Sequence, residues 1–395
     1  MRQRAGVYGM AFDRVGGGQR HQAIIADLLT AACDVDLIHH VPGLTHARLA
    51  EDYGLDLQRV NLRLVDPLPD VWPYAARGDA ADRDPFEAHH ALTHAYDLFV
   101  NVVVQPPIRS YARRGVLVVL FPFAGRQESW PWSEPQGRTP IVKRIIRNAW
   151  YARRWRRVFA SYQTCVANSE FTAGWIKTRW GLDAVVVYPP VRAQFDEKPK
   201  GNTILSVGRF ARNGTQKRQA EMVRAFTRAS DSLLQGWEFV CLGGVADNPA
   251  DQLCFEEASD AAHGYPVRVH ANVSDRAVRD AYERAAVFWH AAGFGEDERR
   301  HPERFEHFGM STVEAMAAGC VPVVIRKGGQ PEIVQHGTSG FLWDTTDELV
   351  GYTHRLVTAP ALRDEMARAA RLRARAFTDP DQFAARMLRI LDPAS

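Results

Sequence analysis

No stretch of this sequence is apolar for long enough to cross a bilayer, since runs such as 116–121 fall far short of the about 20 residues a spanning helix needs. Paired cysteines are missing as well. The five thiols, Cys33, Cys165, Cys241, Cys254 and Cys320, contain no CxxC pair and are odd in number, which points to buried thiols in a reduced compartment. Charge of one sign is not in excess: a formal net charge of +3 over 395 residues gives the whole molecule no electrostatic reason to seek nucleic acid. The opening MRQRAGVYGMAFD meets a Gly-rich turn before any long apolar core, so it does not read as a signal peptide. A cytoplasmic protein, soluble or seated peripherally at the inner face of the membrane, is the expectation.

Apolar residues make up 46% of the chain, enough for sizeable cores, and the length suits two α/β domains. Short apolar runs at 6–10, 35–39, 62–65, 98–104 and 116–120 read as buried strands. Between the first two lie Gly16, Gly17 and Gly18, then a helix with Ile24, Ile25, Leu28 and Leu29 on its apolar face. A second series, at 204–207, 238–242, 267–271, 287–290 and 321–325, follows a polar, proline-bearing segment. Strands separated by helical stretches imply parallel sheets covered on both faces. The expected division is an N-terminal Rossmann-like domain over 1–190, a linker over 191–201 and a C-terminal Rossmann-like domain over 202–375. A last helix, 376–395, is expected to pack back on the first domain. Residues 66–95, rich in Asp, Pro, His and Ala, read as an irregular excursion.

The most informative stretch is EHFGMSTVEAMAAGCVPVV, 306–324. Ser311 and Thr312 favour a helix start and Gly319 ends the helix before a strand. Glu306 then sits on the loop and Glu314 in the first turn. Amides from Gly309 to Thr312 point out of a positive helix end, which suits a diphosphate. Carboxylates on either side can accept hydrogen bonds from hexose and ribose hydroxyls. The second piece is SVGRFARNGTQKRQAEMVRAF, 206–226. It places Arg209 at a strand end and Lys217 near a helix start, where two cations can neutralise a departing nucleoside diphosphate. Arg212 and Arg218 compete with them for that role.

Together with 293–343, these segments resemble the nucleotide-sugar half of the family 4 glycosyltransferases, retaining enzymes of the GT-B fold. ANSEFTAGWIKTRWG at 167–181, YPPV at 188–191 and KGGQPEIVQHGTSGFLW at 327–343 extend the resemblance over nearly the whole chain. The fold it implies is α/β, with two Rossmann-like domains facing each other across a cleft. The activity it implies is transfer of a hexosyl-type sugar from a UDP- or GDP-sugar to a hydroxyl acceptor, either a small natural product or a lipid- or polysaccharide-linked glycan. EHFG is also shared with some GDP-mannose users. The mechanism implied is front-face, with no side-chain nucleophile, no metal and no cofactor beyond the donor itself.

Carried over by position, Arg209 and Lys217 would bind the diphosphate and help it leave. Glu306, with backbone amides of His307, Phe308, Gly309 and Met310, would hold sugar hydroxyls, and Glu314 the ribose. Ser311 and Thr312 would touch phosphate, Gly17 and Gly18 would let the first loop approach it, and the base would lie near Asn272 and Val273. One departure stands out: where several relatives carry a histidine after the strand, this chain has Phe121, Pro122 and Phe123.

Other readings are weaker. A nucleotide-sugar-binding protein without catalysis would have no need of Glu306, Glu314, Arg209 and Lys217 together. A dinucleotide-dependent oxidoreductase would need G-x-G-x-x-G spacing, which GGG does not supply. A glycoside hydrolase would need two carboxylates flanking one bond. Asp34 and Asp36 open a strand, where capping and solvation explain them better than a metal does, and His90 with His94 lacks an accompanying carboxylate. The segment 141–159 carries Lys143, Arg144, Arg147, Arg153, Arg154, Arg156 and Arg157 without one acid. It reads either as a core-facing helix with a basic solvated face or as an interfacial helix that touches anionic lipid.

Overall fold

A computed structural model describes residues 2–12, 16–68, 85–104, 106–123, 153–191, 194–212 and 214–392. The chain separates into two compact units, Met1–Pro189 with Asp381–Ser395, and Pro190–Pro380.

The first unit is built on β1 (Gln3–Tyr8), β2 (Cys33–His39), β3 (Val60–Leu64), β4 (Leu98–Val103), β5 (Arg114–Val119), β6 (Thr164–Ala167) and β7 (Val185–Val186). They pair in parallel in the order β3-β2-β1-β4-β5-β6-β7. The second unit holds β8 (Gly201–Val207), β9 (Glu238–Gly243), β10 (Val267–Ala271), β11 (Ala285–His290), β12 (Val321–Ile325) and β13 (Phe341–Trp343). These are also parallel, ordered β10-β9-β8-β11-β12-β13. Residues 285–290 and 321–325 are buried throughout, because strands covered on both faces need no alternation. In each sheet the order reverses once, between β1 and β4 and between β8 and β11. The carboxyl ends of strands at such a reversal leave a crevice where ligands of doubly wound folds bind.

Three strands, β6, β7 and β13, have no counterpart in the sequence reading. At four, two and three residues they are too short to show a period. The excursion expected over 66–95 is corrected in part: Pro85–Thr93 is a helix, while 69–84 lies outside the described residues. Gly17 and Gly18 are not loop residues either, since the helix Gly17–Leu29 starts with them and Gly16 is its N-cap. The second sheet already begins at Gly201.

The last helix, Pro380–Leu391, contributes Phe383, Met387 and Leu391 to the core of the first unit. Arg114 fastens it by donating to the carbonyls of Ile390, at 2.8 Å, and Asp392. His21 meets Phe383 edge-on, with ring centroids 5.6 Å apart. The imidazole is buried and, among the described residues, neither ring nitrogen has a hydrogen-bond partner. Burial, with help from Arg20, pushes His21 down from 6.5 to about 4.

The folded chain thus binds this proton less readily than the unfolded chain. The stability it allows is complete above pH 6.5 and drains away as pH falls from there towards 4. Between pH 7 and pH 5 the cost is about 2 kcal/mol. Thermal denaturation of wild type and His21→Leu at both pH values checks this. The variant is expected to lose less stability on acidification, and an equal loss would refute the assignment.

Candidate donor-binding site

The functional residues of the second unit gather where its strand order reverses. β8 ends at Val207, and Gly208 and Arg209 follow. Lys217 precedes the helix Gln219–Thr227 and runs its stem directly over Gly208: a Cβ there would lie 2.8 Å from Lys217 Cγ and 3.2 Å from Cδ. Gln219 ties the turn from the other side, donating from Nε2 to the carbonyls of Gly208 at 2.8 Å and Arg209 at 3.2 Å. The competing arginines are occupied. Arg212 pairs with Glu257 at 3.1 Å, and Arg218 is held by Glu221 at 3.3 Å and by Glu296. Arg209 is exposed and has no side-chain partner among the described residues.

β11 ends at His290, facing the loop that carries Glu306. Lys217 Nζ and His290 Nε2 both converge on Oε2 of Glu306, the histidine at 2.9 Å. Oε1 accepts no hydrogen bond among the described residues. Burial alone would raise the Glu306 carboxyl, but the Lys217 ammonium and the His290 hydrogen bond outweigh it and hold the group well below the usual carboxylate range. His290 itself is lowered, first by burial and then by Lys217, although Glu306 pulls it up. Burial pushes neighbouring His307 down to about 4. The backbone of Glu306 is fixed by Gly329, whose amide donates to its carbonyl at 2.8 Å.

Beyond Glu306 the helix Met310–Ala317 begins. Its N-cap Gly309 has φ 123°, a conformation that disfavours any side chain, and no side chain caps the helix. Among the described residues the amides of Met310 and Ser311 are therefore open donors at the positive end of the dipole, while that of Thr312 already donates to the Gly309 carbonyl at 3.1 Å. Met310 and Ser311 are partly exposed there. Thr312 departs from the expected role: it is fully buried, and its hydroxyl donates to Gln330 Oε1 at 2.9 Å and its amide to the Gly309 carbonyl at 3.1 Å. Phe308 likewise turns its ring inward, edge-on to Phe377 at 5.7 Å. Glu314 accepts from the hydroxyl of buried Tyr282 at 3.1 Å, and that hydroxyl also lies 3.4 Å from the Ser311 carbonyl.

Asn272 sits in the left-handed region at φ 52°. Its side chain is stitched to Val245, accepting from the amide at 2.9 Å and donating to the carbonyl at 3.3 Å. Half-buried Val273 follows it. Arg209 Cγ and Asn272 Oδ1 each stand 3.8 Å from the place a Cβ on Gly244 would take, so the two share one neighbourhood. Arg209, Lys217, Glu306, Asn272 and the helix tip thus follow one another around the β8/β11 reversal. Gly17 and Gly18 belong to the other unit, where Gly18 is crowded by its own chain: a Cβ would lie 2.8 Å from Leu120 and 3.0 Å from Met10.

Three members of this group escape the sequence reading: His290, Tyr282 and Gln330. His290 ends an apolar strand and Tyr282 lies in the helix Asp275–Arg284, so both look like core residues. Gln330 is fully buried and its Nε2 has no partner among the described residues.

Elsewhere, Asp36 is occupied by Tyr96 and Asn61, each at 2.7 Å, and the rings of His90 and His94 stack 4.6 Å apart. Among the described residues no group of three or more His, Cys, Asp or Glu could hold a metal ion, and no helix is long and apolar enough to cross a membrane. Of the basic segment 141–159, residues 141–152 lie outside the described ones. The rest is helical, with Trp155 and Phe159 packed against Phe123 and Trp180, and Arg154 lying 4.8 Å from the Phe86 ring.

Residues 189–373 match the family model described as glycosyl transferases group 1. A curated relative, the GDP-Man:Man(3)GlcNAc(2)-PP-Dol alpha-1,2-mannosyltransferase of Dictyostelium discoideum, is 26% identical over 249 residues. That alignment covers 58% of this chain and 46% of the relative, so the likeness spans under half of the relative's length. Among solved structures, HepE of Anabaena in complex with UDP and glucose aligns over 99% of both chains at 15% identity, with a TM-score of 0.68. Sucrose-phosphate synthase of Thermosynechococcus elongatus aligns over 100% of both at 16% identity, with a TM-score of 0.64. Such low identities speak to fold alone. The second unit thus carries a group 1 glycosyl transferase domain, and the two parallel-sheet Rossmann-like units have the GT-B fold of these solved structures.

Proposed function

We propose that this protein moves a hexosyl group, with retention, from a nucleoside diphosphate sugar to an acceptor hydroxyl on a small natural product or on a lipid- or polysaccharide-linked glycan. One observation carries the reading: Lys217 and His290 occupy a single oxygen of Glu306, and the other oxygen is left open beside an uncapped helix tip. In this reading Oε1 accepts from a sugar hydroxyl, and the first-turn amides with Lys217 and Arg209 take the diphosphate. Glu314 holds the ribose, and the base lies over Asn272 and Val273. The GDP-mannose chemistry in the name of the Dictyostelium relative, with EHFG at 306–309, supports a GDP-linked donor.

As the bond from the anomeric carbon to the diphosphate breaks, the acceptor oxygen attacks the same face. The acceptor proton passes to a phosphate oxygen of the departing group. Positive charge from Lys217, Arg209 and the helix amides stabilises the leaving diphosphate, the charge that grows in the transition state. No resident cofactor is invoked. From the first unit Gly17 and Gly18 are proposed to approach the diphosphate through their backbone.

Thermal-shift measurements with GDP-mannose, UDP-glucose and the free diphosphates test the donor. Stabilisation by GDP-mannose above all is expected, and a flat response to every nucleotide sugar would overturn the reading. Glu306→Ala is expected to weaken the nucleotide sugar about 10- to 100-fold, as loss of a hydrogen bond to a charged group does, while free diphosphate binds as before. Lys217→Ala is expected to weaken both, and each variant to lose about 100-fold or more in turnover with its circular dichroism unchanged. Gly208→Ala places a methyl against the Lys217 stem and is expected to weaken GDP about tenfold without unfolding, by analogy with other overpacked sites. Wild-type affinity in Gly208→Ala would show that the stem does not depend on this gap.

A further inference from the structure

We infer that His290 is a positioning residue of the donor site, holding Oε2 of Glu306 so that Oε1 stays available to the sugar after the diphosphate has drawn Lys217 away. The inference rests on the donor-site reading above and adds to it a residue that touches no substrate.

The rest of β11, Ala285–Trp289, is apolar and wholly buried, and a leucine or phenylalanine would continue it without any polar group to desolvate. The imidazole at its end is 2% exposed and, among the described residues, makes one hydrogen bond, from Nε2 to Glu306 Oε2 at 2.9 Å, while Nδ1 has no partner there. A buried ring whose sole polar contact is one carboxylate oxygen is placed for that carboxylate. Because Glu306 is ionised, Nε2 carries the proton and donates it.

Lys217 cannot do the same work throughout. Its ammonium is on Oε2 of Glu306, whose loop leads four residues on into the helix tip proposed to receive two phosphates. A diphosphate offers it more charge than one carboxylate, so the pair opens as the donor enters. Lys217 arrives on a long flexible stem, whereas His290 is fixed at a strand end and has no alternative partner. With His290 present, Glu306 keeps one anchored oxygen and one open oxygen. Without it, the carboxylate is free to follow the lysine onto the phosphate side and lose the sugar.

Calorimetric titration of GDP and GDP-mannose into wild type, His290→Leu, His290→Gln and Glu306→Ala tests this, with UDP and UDP-glucose as a parallel pair. His290→Leu is expected to bind the free diphosphate within about threefold of wild type and the nucleotide sugar about tenfold more weakly. His290→Gln, whose amide nitrogen reaches the place of Nε2, is expected to recover most of that loss. Unchanged diphosphate affinity also certifies the fold of each variant. If His290→Leu keeps the sugar's full contribution while Glu306→Ala loses it, the inference about His290 is overturned and the donor site stands. Equal impairment of the Leu and Gln variants would likewise overturn it, since a packing role does not distinguish a donor from its absence. If Glu306→Ala itself keeps the sugar's contribution, the donor-site reading falls and the inference with it.

Discussion

Glu306 keeps a negative charge although its side chain is only 17% exposed, and the arrangement around it follows from that constraint. A carboxylate withdrawn from water is expensive to ionise unless donors replace its hydration. Here they come from two segments distant in sequence, a lysine before the helix Gln219–Thr227 and a histidine ending β11. Either alone would leave the balance closer to neutrality. Together they overcome burial and fix the charge on one oxygen, so that its partner oxygen is an acceptor of defined direction.

The fold supplies that meeting by its crossover order. In a parallel sheet whose order reverses between β8 and β11, the chain leaves adjacent carboxyl ends towards opposite faces, and the loops open a crevice between them. The backbone of Gly208 lets the lysine stem cross it, Gln219 holds that turn, and Gly329 holds the carbonyl of Glu306. Each contact is local and modest. Their joint effect is that a cation, a carboxylate and an uncapped helix end share one neighbourhood.

Much of this was legible in the residues, and the exceptions have physical causes. The strands 116–120 and 321–325 were readable because an apolar, β-branched run flanked by turn residues is what a doubly covered strand requires. β7 and β13 were not, since two or three residues carry no period, and helix Pro85–Thr93 was hidden in a stretch whose composition looked irregular. Arg209, Lys217, Glu306 and Glu314 could be named from motif order. The choice of Lys217 over Arg218 could not, because it turns on which cation already has a carboxylate, and Glu296 is remote in sequence from Arg218. His290 and Tyr282 stayed unread because a histidine ending an apolar strand, or a tyrosine on a helix, looks the same in sequence whether it faces a carboxylate or merely fills space. Thr312 shows the reverse: a residue type suited to phosphate spends its hydroxyl inside the core.

Two buried histidines make the distinction physical. His21 lies in the core of the first unit with neither nitrogen bonded, so burial acts on it unopposed and it stays neutral to about pH 4. His290 suffers the same desolvation, but a carboxylate at 2.9 Å opposes it. The candidate site is therefore self-neutralised, with Lys217 and Glu306 cancelling each other and Arg209 left in water where an unpaired charge costs little. In the proposed complex a diphosphate takes over a cation that was already desolvated, so no further buried charge must be created. The carboxylate it displaces is compensated by a fixed donor at one oxygen and, in the proposed complex, by a sugar hydroxyl at the other. Exchange of partners, rather than the filling of a waiting positive pocket, is the charge balance this geometry supports.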